Sequence, residues 1–94
     1  HVHTAWSFDA YVFGAVATPQ DAYAFARGQP LRLPDGEMAS IDRPLDFAAV
    51  TDHADTFDVM YLCSDPGYRD DAWCSALREG RRKREGRRLF TDLL

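Results

Sequence analysis

The sequence predicts an α/β fold, and three observations carry that prediction. The first is Phe47-Ala48-Ala49-Val50, which is apolar on both faces. A strand covered on both sides in a parallel sheet has that pattern. The second is a well-signalled helix between Thr18 and Gly28. The third is where the polar residues fall. His1-Val2-His3 and Thr51-Asp52-His53 both read as the C-terminal ends of strands. In α/β barrels those ends lead into the βα loops and gather the functional groups.

Taken in order, residues 1–17 read as a strand end followed by an aromatic loop. Trp6, Phe8, Tyr11, Val12 and Phe13 must pack on something. The ordinary role of Trp6 and Phe8 is core or wall packing, and lining a substrate pocket is the sharper alternative. In the helix that follows, Thr18 can cap, Pro19 fits the first helical position and Asp21 suits the positive end. Ala22, Phe25 and Ala26 form an apolar stripe, and Gly28 ends the helix. Residues 31–41 predict a β-hairpin insertion turning at Pro34-Asp35-Gly36. After the expected strand, residues 54–71 are loop-like, with a short helix near 56–62 and a turn at Ser64-Asp65-Pro66-Gly67. Asp70 or Asp71 caps a helix starting near Ala72, with Trp73, Ala76, Leu77 and Gly80 on one face. Leu89, Phe90 and Leu93 either resume that face or begin a new element.

Composition places the chain among ordinary globular sequences, with 94 residues, 46% hydrophobic and 28% charged. There is no apolar run near the ~18 residues of a membrane span. The net charge of −4 hides an asymmetry. Residues 78–88 hold seven basic and two acidic side chains, a net +5, and the remainder holds four and thirteen, a net −9. The chain lacks an initiator Met, opens on a candidate ligand and stops without a capping signal. The expectation is a partial domain over residues 1–94, truncated at both ends.

Side chains two apart on a strand point the same way, so His1 and His3 would present two imidazoles to one point. Zinc, manganese and iron sites are built from such groups. Asp9 adds a hard oxygen ligand, and His53 adds a third imidazole if the fold returns it. Asp52 either accepts an N–H from a ligating ring or closes the strand-end turn. Asp55 either supports the site in the same way or caps a helix.

These residues resemble a known family. His1-Val2-His3-Thr4 with Ser7 and Asp9 resembles the first motif of the PHP (polymerase and histidinol phosphatase) superfamily, and Thr51-Asp52-His53 resembles its second. The runs His1–Gly14, Ala17–Gly28, Arg43–Phe47 and Val50–Ala54 are together most similar to one branch, the domain of unknown function 3604 family. The resemblance covers residues 1 to about 75. It implies the N-terminal part of a distorted barrel of seven β/α units. It also implies His1, His3, Asp9 and His53 as ligands to two or three divalent ions, Zn, Mn or Fe. Many such proteins hydrolyse phosphate esters, so a small-molecule phosphate ester is the implied substrate. The superfamily's later Glu, further His residues and final Asp-x-His are not matched here, since no histidine follows His53. An amidohydrolase-type enzyme also opens on His-x-His, but Thr-Asp-His at the second strand argues against it. A non-catalytic metal-binding or structural domain is the alternative of a different class.

Cys63 and Cys74 bracket a turn-rich segment. They read either as a disulfide closing that loop or as two unrelated thiols, and their spacing does not fit a zinc knuckle. The resembled family is often exported and carries similar cysteine pairs, which implies a periplasmic or secreted location. The basic run 78–88 lacks interleaved aromatics. Glu79 and Lys83 form a favourable i,i+4 pair, so the run reads as a solvated helix face rather than a nucleic-acid surface.

Overall fold

The computed structural model describes residues 1–93. An extended entry segment, residues 1–4, leads into a one-turn helix, α1 (Phe8–Val12). Helix α2 (Pro19–Ala26) and a short hairpin, β1 (Leu31–Arg32) and β2 (Met38–Ala39), follow. A long irregular stretch returns the chain to its start. Helices α3 (Phe57–Cys63), α4 (Ala72–Arg82) and α5 (Gly86–Leu93) complete the order, with a 3-10 turn at Pro66–Tyr68.

The start of α2 forms as its sequence dictates. Thr18 Oγ1 accepts from Asp21 N–H at 3.2 Å, and Asp21 Oδ2 accepts from Thr18 N–H at 2.9 Å. This reciprocal pair satisfies two donors that a helix start otherwise leaves without partners. Gly28, at φ +97°, ends the helix in a backbone conformation that costs other residues free energy. In the hairpin, Leu31 stands opposite Ala39 and Arg32 opposite Met38.

The core lies among the other helices. Phe8 and Val12 from α1, Met60 from α3, Leu77 from α4 and Leu89 from α5 form one buried cluster. Asp71 starts α4 by accepting from Cys74 N–H at 3.0 Å. Arg84, at φ +59°, separates α4 from α5, so Leu89 belongs to a new helix. Close packing of the two requires Gly80, because a Cβ there would fall 2.5 Å from Leu89 Cδ2. Cys63 and Cys74 are joined in a disulfide that ties the end of α3 to the first turns of α4. By chain-entropy reasoning a loop of this length contributes about 3 kcal/mol.

Three expectations are corrected. The described residues are mostly helical, with five α-helices and a single two-stranded antiparallel sheet, and they form no barrel of β/α units. Phe47–Val50 is not a strand. Its contacts explain why: a strand exists only through a ladder of backbone hydrogen bonds to a neighbour. Here Leu45 N–H goes to Ala26 O at 2.8 Å, Val50 N–H to Tyr23 Oη at 3.1 Å and Thr51 N–H to Val2 O at 2.7 Å. Two of these bonds end on helix α2 and one on the entry segment, so none is a rung to a neighbouring strand and no ladder forms. Phe47 is 88% exposed, so the apolar run is not covered on both faces. Third, the aromatic loop after His3 holds a helix, α1. Its Phe8 and Val12 face the core, and Trp6 packs edge-on against Phe57 and Tyr61 at 5.3 and 5.2 Å. No helix among the described residues is long and apolar enough to cross a membrane.

Candidate metal centre

Three parts of the chain meet where the entry segment, the start of α1 and the returning segment come together. Thr51 fixes the meeting at its outer edge. Its N–H donates to Val2 O, and its hydroxyl accepts from Val2 N–H at 3.0 Å. Asp52 fixes it inside. Its carboxylate accepts from Thr4 N–H, from the Thr4 hydroxyl at 2.7 Å and from the Ser7 hydroxyl at 2.7 Å. Ser7 Oγ in turn accepts from His53 N–H at 2.9 Å. Ser7 stands at the N-cap of α1 but makes no side-chain cap bond, because its hydroxyl is committed to this network. Thr4 and Ser7 are 1% and 0% exposed. Buried hydroxyls of that kind are tolerated because each has a partner.

The same network sets the charge of Asp52. Burial raises its pKa. The hydrogen bonds from Thr4 N–H, the Thr4 hydroxyl and the Ser7 hydroxyl, with the nearby His3, lower it by more. The net effect holds the carboxyl below its ordinary value and favours the carboxylate that the network needs.

Held this way, His3, Asp9 and His53 present one ligand atom each, all within 4.8 Å of one another. Asp9 sits in the first turn of α1. Its Oδ1 accepts from Ala10 N–H at 2.8 Å, while Oδ2 lies 3.9 Å from His3 Nδ1 and 3.4 Å from His53 Nε2. Both distances exceed the usual reach of an N–H···O bond, about 2.7–3.2 Å. Donors about 2.0–2.1 Å from a tetrahedral zinc lie roughly 3.4 Å apart, so the spacing fits an ion after small side-chain adjustments. The His3 and His53 rings meet edge to face at 4.5 Å.

Of the residues picked from sequence, His3, Asp9 and His53 converge. His1 stands outside the trio, exposed, its ring 5.7 Å from that of His3. Asp52 binds the Thr4–Ser7 turn, not a histidine ring. Asp55 lies exposed in the turn before α3, and its carboxylate accepts no hydrogen bond among the described residues. Sequence reasoning gave no role to Thr4 or Ser7. The available signal was two small hydroxyls three apart inside an aromatic stretch, a place where a polar residue must be partnered if buried.

A family described as "Protein of unknown function (DUF3604)" matches residues 1–90. The chain belongs to this family. No curated protein and no solved structure matches it.

Proposed function

We propose that this DUF3604 chain supplies metal-holding residues of a metal-dependent hydrolase that acts on phosphate esters, within the PHP superfamily. The observation that carries the reading is the convergence of two imidazoles and one carboxylate from three separate segments. Hydrolytic zinc centres use such a donor set and keep a further position open for water or substrate. When bound, a divalent ion, Zn, Mn or Fe, supplies Lewis acidity toward a water and toward phosphoryl oxygens. The chain's own part is to hold and orient. Asp9 offers Oδ2 while Ala10 N–H occupies Oδ1, and Asp52 anchors the turn that sets His53 beside His3. His1, outside the trio with its ring 5.7 Å from that of His3, is assigned to a second ion on the resemblance alone. The phosphate ester rests on the resemblance of the two short motifs to that superfamily. The Cys63–Cys74 disulfide supports a periplasmic or secreted location, since such bonds persist in oxidising compartments.

The test is metal analysis of the full-length protein with phosphatase assays on 4-nitrophenyl phosphate, with and without chelator. We expect bound Zn, Mn or Fe and turnover that stops when the metal is removed. Asp9→Ala should weaken metal binding by more than the about 10–100-fold typical of losing an outer partner. Turnover that persists without metal would refute the hydrolase reading. Bound metal without turnover would leave a non-catalytic metal-binding domain.

A further inference from the structure

A cavity of about 330 Å³ opens between the Ala5–Trp6 turn, α1, α3 and α4. Trp6, Tyr11, Met60 and Leu77 give it an apolar and aromatic wall, and Arg78 and Arg81 add two guanidinium groups. No Asp or Glu lines it, and neither do His3 and His53.

The two arginines are anchored without being neutralised. Arg81 Nη2 donates to Gly14 O at 3.2 Å and Ala15 O at 2.8 Å, and its Cζ lies 4.1 Å from the centre of the Tyr11 ring. Arg78 Nη2 donates to Arg69 O and to Ser75 Oγ. Among the described residues neither arginine forms an ion pair, and unlike the exposed Arg27, Arg32, Arg69, Arg84 and Arg87, which also form none, both are half-buried at a cavity wall. A guanidinium whose plane is already fixed and whose donors are free suits an anion, with which it makes charge-assisted hydrogen bonds. Here carbonyls fix the planes while each Nε and Nη1 keeps its donors free of any acceptor among the described residues.

We propose that this cavity binds a small organic anion of the aromatic carboxylate class. A planar carboxylate matches a guanidinium edge with two parallel hydrogen bonds. The aromatic body suits the wall made by Trp6, which Phe57 and Tyr61 hold in place. Groups fixed before binding lose little freedom on binding. The volume is at the small end of ligand sites, about 300–1,000 Å³, which selects a single ring over a large ligand.

The probe is para-trifluoromethyl benzoate, followed by fluorine NMR on the metal-free chain with chelator present. Salt is kept at about 0.15 M, where a Debye length of ~8 Å suppresses long-range attraction. The benzoate should bind saturably, and the neutral para-trifluoromethyl benzyl alcohol at least about tenfold more weakly, a difference of ~1.4 kcal/mol. Arg78→Gln should weaken the benzoate about tenfold or more, and Lys83→Gln, exposed just past the end of α4, should leave it unchanged. In the parent chain the Trp6 indole N–H signal should move on titration while that of Trp73 stays. This readout decides the matter should Arg78→Gln fail to fold. Equal binding of acid and alcohol, equal losses in the two variants, or an unmoved Trp6 signal overturns the proposal.

Discussion

The two halves of this chain bury their apolar side chains to different extents. In the helical half, Phe8, Val12, Met60, Leu77 and Leu89 meet in one buried cluster, reinforced by the disulfide between α3 and α4. In the half built from α2, the hairpin and the returning segment, Met38, Leu45 and Phe47 stand exposed. Yet the candidate metal centre draws on both, with Asp9 on a core helix and His53 on the returning segment. The order of the site therefore cannot come from apolar burial beneath every ligand. On the open side it comes from the Asp52 carboxylate and the hydroxyls it binds.

The largest effect should come from breaking the helical half at its centre. Phe8 is 2% exposed and meets Trp73 and Phe90 at ring distances of 6.1 and 5.6 Å. Phe8→Ala removes that packing and leaves a void, at a cost of about 3–5 kcal/mol. Stabilities of small domains are of the order of 5–15 kcal/mol, so the transition in urea should move far toward zero denaturant. A loss below about 1 kcal/mol would mean that this cluster does not hold the half together.

A smaller effect should follow from cutting the joint. Asp52→Ala strands two buried hydroxyls and one backbone N–H, with an expected loss of about 1–3 kcal/mol. The location of the damage matters more than its size. Amide exchange should accelerate at Thr4, Ser7 and His53 while α4 and α5 keep their protection. Uniform acceleration across the helices would show that the two halves are one cooperative unit.

What was legible in the sequence follows the same division. The start of α2 was readable because Thr18, Pro19 and Asp21 act within one turn of each other. The cap of α4 was readable to within one residue, Asp70 or Asp71, for the same local reason, and the short helix near 56–62 forms as Phe57–Cys63 without a side-chain cap. The convergence of His3, Asp9 and His53 was anticipated from residue type and from the resemblance, but its means was not. Asp52 reaches Thr4 and Ser7 across more than forty intervening residues, and no local pattern announces such a bond. The buried-strand reading of Phe47–Val50 failed because an apolar run reports what a segment could bury, not whether a neighbour is there. The solvated reading of the basic run held for Arg82 and Lys83, which pair with Glu79 in the open. It held less well for the half-buried Arg78 and Arg81, of which Arg81 reaches in to the Gly14 and Ala15 carbonyls, since a repeat of basic residues on a helix does not say which of them turns inward.

The smallest effect should come from a residue that the sequence reads as part of a covered strand. Phe47 is a large aromatic in an apolar run, and a covered strand would lose about 3–5 kcal/mol on its truncation. In this structure its side chain lies in solvent, and it belongs to none of the aromatic pairs. Phe47→Ser should therefore change stability by no more than about 0.5 kcal/mol, the range of ordinary surface substitutions. Urea unfolding beside the Phe8→Ala variant gives the comparison directly, since both lose an aromatic ring. Solubility should rise in the Phe47 variant, because an exposed ring beside Leu45 is removed. If Phe47→Ser instead costs as much as Phe8→Ala, the returning segment is buried in solution. The contrast between the two halves would then be wrong at its most exposed point.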